Sequence, residues 1–448
     1  MSLAQELGLE TEWHRAFAEV ERMLGGRVVA ARRQGRWRPA WFLDVDCDGE
    51  IRRVYFRGDR GVAAIAFYDL EYEFRVLQVL EAHGIPVPHI YGYCEDPMGI
   101  VMAVVAGREN LGTETDPKLQ AATLEHYMEL LLEMHRIDVS AFEAVGLRRP
   151  KTAEEIGLGD LHIWEKGFRK QKQTPEPLIE FALQWLRANV PTHRTKVTFC
   201  TGDSGQFLFD EGRVTAVIDL ELAFLGDPLA DLGALRSRDI SEPLGDLSRG
   251  LSYYAEISGE PIDVPAMNYH AVRFAMDTPL SVAPLCAAAP PGLNYVQYLG
   301  WNLVYGRFPI EGIAEIEGVT LERPTLPEVA STGQPTPHDV LVRTLESECG
   351  DSYEVDSALR VAQYAREIDR RGARVESDDL EEASALVGRK LSSWLEADAE
   401  LEKLVASDWR ARQSELLQYF YRRTLRQEAL LHPAMRELQD VEFQQIRL

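Results

Sequence analysis

The sequence predicts an α+β fold with two lobes, a small antiparallel β lobe and a larger helical lobe, followed by a C-terminal helical extension. Three observations predict it. Alternating apolar runs near the N-terminus flank Asp48-Gly49, and such a dipeptide is a strong hairpin signal. Apolar residues recur at helical spacing from Lys118 to Arg136 and in several later segments. Beyond a segment rich in Pro, Thr, Ser and Gly, the last hundred or so residues are charged and carry helical apolar stripes.

The β lobe is predicted to contain two helices and five strands. Gly84–Pro88 ends the second helix, because Gly and Pro interrupt helical geometry. Ala106-Gly107 follows the last strand and marks a hinge near 103–108. The two helices are expected over 3–24 and 68–83. Three strands are expected between them, over 27–33, 40–47 and 50–57, and two after them, over 89–95 and 99–105.

The helical lobe is interrupted by one hairpin, over 199–219, in which Asp210–Arg213 forms a tight turn. Its helices are expected over 118–136, 175–190, 246–257, 265–278 and 293–306. The predicted domains are an N-terminal lobe, a C-terminal lobe, a linker and a helical extension, with bounds 1–107, 108–318, 319–339 and 340–448.

Composition narrows the class of protein. The 448 residues carry a net charge of −24, which argues against general binding to nucleic acids or anionic membranes. The five cysteines form no CxxC pair, which favours reduced thiols over a disulfide or zinc framework. The charged N-terminus is not a signal peptide, and no apolar run is long enough to cross a membrane. We expect a cytoplasmic protein.

Two aspartates, Asp203 and Asp219, stand sixteen residues apart around this hairpin. Asp203 lies between small residues that allow a tight turn, and Asp219 follows the apolar run 214–218. The hairpin brings both carboxylates to one end. Metal-assisted phosphoryl transfer needs two such groups, one to orient a hydroxyl and one to hold Mg²⁺. Taken alone, Asp203 also suits a turn, and Asp219 a helix N-cap or ion pair.

The combined pattern resembles the aminoglycoside phosphotransferase and choline kinase superfamily, which has a protein-kinase-like fold. The resemblance extends over about 20–310 and is closest to the branch associated with acyl-CoA dehydrogenases, as in HGIPVPHIYGYCEDP. It rests on four short motifs. The first two are the catalytic-type loop Thr201-Gly202-Asp203 and the strand end Asp219-Leu220-Glu221. The other two are the turn Gly226-Asp227-Pro228 and the helix start Asp231-Leu232.

The resemblance implies a role for each matching residue. Asp203 would orient the attacking hydroxyl, and Asp219 with Gln206 would hold Mg²⁺. Arg57 would contact the nucleotide phosphates and pair with Glu73, and the hinge at Met102 and Val104 would meet the adenine. Thr201, Ser204, Glu221, Asp227 and Asp231 would support the loop. The implied cofactors are ATP, with GTP as an alternative, and Mg²⁺.

The sequence departs from the family pattern at three places. Thr201 stands where the family has His, Gln206 replaces its Asn, and no Gly-rich phosphate loop is evident. In the segment 34–39 and just before it, Arg32, Arg33, Arg36 and Arg38 are candidates for phosphate contact or for a solvated basic loop. These departures leave two alternatives to a kinase: a degenerate kinase-like protein that binds without phosphoryl transfer, and a scaffold that uses its helical extension.

The expected partner is a small molecule that bears a hydroxyl group: a hydroxyacyl-CoA, an amino alcohol or an aminoglycoside-like compound. Its pocket is expected near 164–168 and 295–308, where an aromatic stripe could equally be core. The extension 340–448 is a candidate surface for a homodimer.

Overall fold

The computed structural model describes residues 3–34, 38–59, 70–328, 333–350 and 352–448. The chain forms two compact units, and neither is continuous in sequence. The first contains Met1–Gly159, Arg194–Ile262 and Gln445–Leu448, and the second contains Asp160–His193 and Asp263–Gln444. The predicted α+β class, with an antiparallel β lobe and helices after it, is confirmed. The predicted domain boundaries stay a prediction.

A five-stranded antiparallel sheet dominates the start of the first unit, with strand order β1-β2-β3-β5-β4. All five predicted strands are present, with ends that move by one or two residues. Their bounds are β1 Arg27–Arg33, β2 Ala40–Cys47, β3 Glu50–Gly58, β4 Ile90–Glu95 and β5 Met98–Ala103.

The N-terminal helix is predicted as one element, and this is wrong. The structure has α1 at Leu3–Glu6 and α2 at Thr11–Leu24. Gly8, with φ +63°, breaks the helix between them, because a left-handed residue cannot continue a right-handed helix. Trp13 and Phe17 on α2 then pack against Trp41 on the sheet, with ring centroids 5.5 and 5.4 Å apart.

The two faces of the sheet differ because side chains alternate along each strand. Trp41, Leu43 and Val45 point into the core with α2. Phe42 and Tyr55 alternate with such core residues and line a cleft. The sheet therefore has one core face and one cleft face.

The rest of the first unit is mainly helical, with two short two-stranded sheets. Its helices are α3 Leu70–Ala82, α4 Pro117–Arg136, α5 Val139–Glu143, α6 Ala153–Leu158, α9 Leu229–Arg238 and α10 Leu247–Ser258. The short strands are β6 Thr198–Cys200 with β9 Phe224–Gly226, and β7 Phe207–Asp210 with β8 Arg213–Val217. Residues 68 and 69 of the predicted α3 lie outside the described residues.

The predicted hairpin is present between β7 and β8. Its two-residue loop, Glu211-Gly212, has φ +46° and +79°, the left-handed pair that matches strand twist in tight hairpins. Strand β8 ends at Val217, one residue before the end of the predicted run 214–218, and Asp219 lies in the loop that follows. Asp219 itself has φ +58°, a conformation that Asp tolerates better than most residues.

In the described part of the second unit all the regular secondary structure is helical. Its helices are α7 Leu161–Gln171, α8 Pro177–Ala188, α11 Val264–Ala275, α12 Asp277–Ala287, α13 Tyr295–Glu317, α14 Pro337–Glu348, α15 Tyr353–Glu367, α16 Ala373–Val387, α17 Trp394–Asp408 and α18 Gln413–Leu431. Helix α13 is longer than predicted and continues through Pro309. It packs against α18, which joins the C-terminal extension to the preceding helices of this unit.

Two predictions from composition can be compared with the structure. All five cysteines, each within the described ranges, have free thiols. Among the described residues, no helix is long and apolar enough to span a membrane.

Candidate active site

The loop that carries Asp203 begins after β6 and is shaped by two glycines. Gly202 and Gly205 have φ +81° and +98°, values at which side chains are strained. A Cβ at Gly202 would lie 2.1 Å from the carbonyl oxygen of Leu222. Only glycine therefore allows the loop to lie this close to the segment that follows Asp219.

Asp231, near the start of α9, holds this loop in place through hydrogen bonds. Its carboxylate has no exposed surface and accepts hydrogen bonds from the backbone N–H groups of Thr201 and Gly202, at 3.0 and 3.2 Å. The Thr201 hydroxyl donates a further bond at 2.8 Å, and Nε2 of His135 lies 3.0 Å away. Four donors satisfy a carboxylate that would otherwise be costly to bury.

The other predicted supporting residues near the loop are also buried and bonded. Asp227 accepts two bonds of 2.8 Å from the Arg194 guanidinium. Ser204 lies 3.0 Å from the Tyr127 hydroxyl, which also accepts a bond from the Gly205 amide at 2.9 Å. Burial raises the pKa of Tyr127 well above its ordinary value, so this hydroxyl stays protonated.

Gln206 links the two aspartates of the site. Its Nε2 donates to Oδ2 of Asp203 at 3.0 Å and approaches Oδ2 of Asp219 at 3.5 Å. The structure therefore brings Asp203, Gln206 and Asp219 together, as the sequence predicts.

Arg238, the last residue of α9, is a site residue that the sequence analysis misses. Its Nε donates to Oδ1 of Asp203 at 3.0 Å, and its Nη2 donates to Oδ2. The two side chains are 13% and 18% exposed, so the pair is largely shielded from water. The pair spans 35 residues, and no local motif in the sequence indicates it.

Arg57, on β3, joins three carboxylates. Its Nε donates to Glu73 at 2.9 Å, its Nη2 donates to Asp219, and Glu221 lies 3.4 Å from Nη2. Burial alone would lower the pKa of Arg57, but Glu73, Asp219 and Glu221 together raise it well above the ordinary arginine value. The predicted Arg57–Glu73 pair is thus present, and Arg57 also contacts the predicted metal ligand.

Among the arginines that were candidates for phosphate contact, Arg38 is buried and its guanidinium bonds protein groups. It donates to Glu221 and, at 3.1 Å, to the carbonyl of Gly58. Arg32 lies over the Phe42 ring, 4.5 Å from its centroid. Arg33 is exposed, and Arg36 lies outside the described residues.

A cleft in the first unit leads to these groups. Phe42 and Tyr55 form its aromatic wall, with ring centroids 5.0 Å apart. Met102 and Val104, the predicted hinge residues, line it together with Arg57, Glu73, Gln206 and Asp219. The Val104 amide already donates to the carbonyl of Arg53 at 3.1 Å, whereas within the described residues the backbone of neighbouring Val105 has no hydrogen-bond partner.

The donor set at Asp219 suits Mg²⁺. The ion prefers oxygen ligands and is commonly held by one or two protein groups plus phosphate oxygens and water. Asp219 and the amide of Gln206 offer such oxygens. Gln206 now directs its NH₂ group toward both carboxylates, so it would have to turn its amide oxygen toward the ion. No cluster of three or more His, Cys, Asp or Glu side chains suited to a metal occurs among the described residues.

The fold and the arrangement of the site residues are similar to those of kinase-like phosphotransferases. Residues 48–258 match the model of the family described as "Phosphotransferase enzyme family", known as APH, so this part of the chain is similar to a domain of that family. A solved structure from Ralstonia eutropha JMP134, provisionally described as an aminoglycoside phosphotransferase, supports the fold. It superposes with a TM-score of 0.52 at 18% identity, over 69% of this chain and 99% of that one.

Curated relatives share sequence with parts of the chain. Acyl-CoA dehydrogenase family member 11 of Rattus norvegicus is 27% identical over 304 residues, which are 64% of this chain and 36% of that protein. Acyl-CoA dehydrogenase family member 10 of Mus musculus is 27% identical over 212 residues, which are 44% and 19%. The chain thus spans about a third and a fifth of the length of these two relatives.

Proposed function

We propose that this protein transfers the γ-phosphoryl group of ATP to a hydroxyl group of a small molecule, with Mg²⁺ as the metal and GTP as an alternative donor. The single observation that carries the proposal is the Gln206 amide between Asp203 and Asp219 at the base of the cleft. Phosphoryl transfer requires mainly positioning and charge neutralisation, and this arrangement supplies groups for both.

Each residue has a proposed task. The Phe42–Tyr55 wall stacks on the base, and the backbone of Val105 can bond its edge. Arg57, held by Glu73, offers N–H groups to phosphate oxygens in place of its present bond to Asp219. Asp203 accepts a hydrogen bond from the acceptor hydroxyl. Asp219 and Gln206 would hold Mg²⁺, which would supply charge neutralisation for the phosphates.

The acceptor class is a proposal drawn from the relatives and from the site. The names of the curated relatives place acyl-CoA chemistry beside sequence of this type, which favours a hydroxyacyl-CoA. Amino alcohols and aminoglycoside-like compounds remain in the acceptor set. The free thiols agree with a cytoplasmic location, which we also propose. Homodimerisation through 340–448 stays a prediction.

A second function, nucleotide binding without transfer, is favoured by one specific observation. Asp203 is already bonded to Arg238 and Gln206, so an acceptor hydroxyl must share this carboxylate with two other donors. In a protein of the pseudokinase type, the cleft and Arg57 would bind the nucleotide, and Asp203 would have no catalytic task.

The test is ADP release from Mg-ATP across a panel of hydroxyacyl-CoA thioesters, amino alcohols and aminoglycosides, with Asp203→Asn as the matched control. We expect at least one acceptor to accelerate ADP release in the wild type and not in the variant. If Mg-ATP raises the unfolding temperature but no acceptor separates the two proteins, the binding function replaces the transfer function.

A further inference from the structure

Arg238 donates hydrogen bonds to both oxygens of the Asp203 carboxylate. Nε and Nη2 of one guanidinium donate to the two different oxygens, Oδ1 at 3.0 Å and Oδ2. This fork geometry fixes the carboxylate plane, which a single hydrogen bond cannot do. Arg238 is held in turn by its position at the end of α9 and by Glu242, which lies 3.4 Å from Nη1.

The remaining hydrogen-bonding capacity of Asp203 can be counted. An ionised carboxylate has about four lone-pair positions, two on each oxygen. Arg238 takes one on each oxygen, and Gln206 takes the second on Oδ2. No other donor among the described residues bonds this carboxylate. One position is left, and it is on Oδ1.

We infer that Arg238 is a positioning residue that, with Gln206, presents Oδ1 of Asp203 to the acceptor hydroxyl. The inference rests on the proposed function and adds which oxygen of Asp203 meets the acceptor hydroxyl and which residue orients that oxygen. The acceptor O–H donates to Oδ1. As the acceptor oxygen forms its bond to the γ-phosphorus, the bond from that phosphorus to the β–γ bridging oxygen breaks. Its electron pair stays on ADP, and the acceptor proton passes to Oδ1.

The opposite role for Arg238 is that of a latch that blocks the carboxylate. The contacts favour positioning, because a blocking cation would need to cover both positions on Oδ1, and it covers one. Two further charged side chains lie near the pair: Glu242 contacts Arg238, and Asp219 is separated from Asp203 by the Gln206 amide.

The test compares three variants of the full chain with the wild type, using the best acceptor from the panel. Arg238→Met keeps the length of the side chain but removes the fork. Arg238→Lys keeps the charge but donates from a single point. Arg249→Met is the matched control, since Arg249 also directs two N–H groups at a carboxylate of the first unit, Glu125, at 2.9 and 2.7 Å.

We expect kcat of Arg238→Met to fall by about 10²-fold, because misplacement of a reacting group by an ångström has an effect of that order. The KM for Mg-ATP should change less than twofold, Arg238→Lys should recover only a part of kcat, and Arg249→Met should match the wild type. Added methylguanidinium should raise kcat of an Arg238→Ala variant, a response that a folding defect cannot produce.

Two results overturn the inference while the proposed function stands. One is an Arg238→Met enzyme as active as the wild type, and the other is a faster enzyme, which identifies a latch. If the wild type transfers phosphate to no acceptor and equals Asp203→Asn, the proposed function fails, and the inference falls with it. If Arg238→Met does not fold, a fully active Arg238→Lys enzyme contradicts the inference.

Discussion

The hydroxyl of Thr201 donates a hydrogen bond of 2.8 Å to Oδ1 of Asp231, and both residues are buried. Thr201 stands where the resembling family has His, and His135, from helix α4, contacts the other oxygen of the same Asp231 carboxylate at 3.0 Å. The Asp231 carboxylate thus holds the loop before Asp203 through the Thr201 hydroxyl and through backbone N–H groups of the loop. The imidazole of His135, far away in sequence, holds Asp231 in turn.

Removing this hydroxyl should cost stability. We expect Thr201→Val to lower the free energy of unfolding by about 2 kcal/mol, since hydrogen bonds to charged groups contribute about 1.5–3 kcal/mol. Thr123→Val is the control: Thr123 is equally buried but donates to a neutral carbonyl, of Leu119, at 2.9 Å, so about 1 kcal/mol is expected. Urea unfolding measures both values. Equal losses would show that the charge of Asp231 adds nothing.

Gly202 is predicted to be irreplaceable for reasons of space. Gly202→Ala puts a Cβ 2.1 Å from the backbone of Leu222, which is the segment next to Asp219. Gly84 is the matched control, because its φ of +79° is nearly that of Gly202 but nothing lies within 4 Å of an added Cβ. We expect Gly84→Ala to cost about 1 kcal/mol, and Gly202→Ala to cost more and to abolish transfer. Thermal unfolding and ADP release test this, and similar effects of the two changes would contradict it.

The aromatic wall should contribute to nucleotide affinity. Tyr55→Ala removes a ring from the Phe42–Tyr55 pair, and we expect KM for ATP to rise by about 2- to 13-fold, from a stacking energy of about 0.5–1.5 kcal/mol. Tyr55→Phe keeps the ring and loses the bond of 2.7 Å to Gln34, so its KM should stay within about twofold of the wild-type value. An unchanged KM in Tyr55→Ala would exclude stacking on this wall.

The stability of the second unit should depend on pH through Glu176. Burial and then Asp398 raise the pKa of Glu176 from 4.5 to about 7. Between pH 4.5 and 7 the folded state therefore holds a proton that the unfolded chain has lost, so stability is full below pH 4.5 and falls as pH rises to 7. The loss is at most about 3 kcal/mol.

The matched variants for this pH effect are Glu176→Gln and Glu396→Gln. Glu176→Gln should make the free energy of unfolding nearly independent of pH between 4.5 and 7. Hydrogen bonds from Ser392 and Arg389 hold the pKa of Glu396 at about 2, so both states are ionised above pH 6, and Glu396→Gln should keep the wild-type slope from pH 6 to 7. Unfolding midpoints measured at several pH values test this, and a slope that survives in Glu176→Gln would refute the assignment.

Much of the fold follows from local pattern. Alternation and the Asp48-Gly49 turn predict the strands of the sheet, and Glu211-Gly212 forms the turn expected between β7 and β8. Errors arise where one residue interrupts a pattern, as Gly8 interrupts the first helix. The strand before Asp219 ends at Val217, and Asp219 itself adopts a left-handed conformation.

The site is predictable only where a motif carries it. Asp203, Gln206 and Asp219 lie in one short segment, and the structure brings them together. The partners that control their charge are not local: Arg238 reaches Asp203 from the end of α9, and Arg38 reaches Glu221 across 183 residues. Such pairs depend on how elements pack, and a charge pattern along one chain does not reveal them.

The most direct test of phosphoryl transfer is detection of the product by ³¹P NMR. ADP release also follows hydrolysis of ATP by water, whereas the spectrum separates a new phosphate ester from inorganic phosphate. We predict that the wild type with Mg-ATP and an acceptor from the panel forms a phosphomonoester in step with ADP, and that Asp203→Asn forms none. Spectra of the wild type that show only ATP, or only ADP with inorganic phosphate, for every acceptor would contradict the central claim.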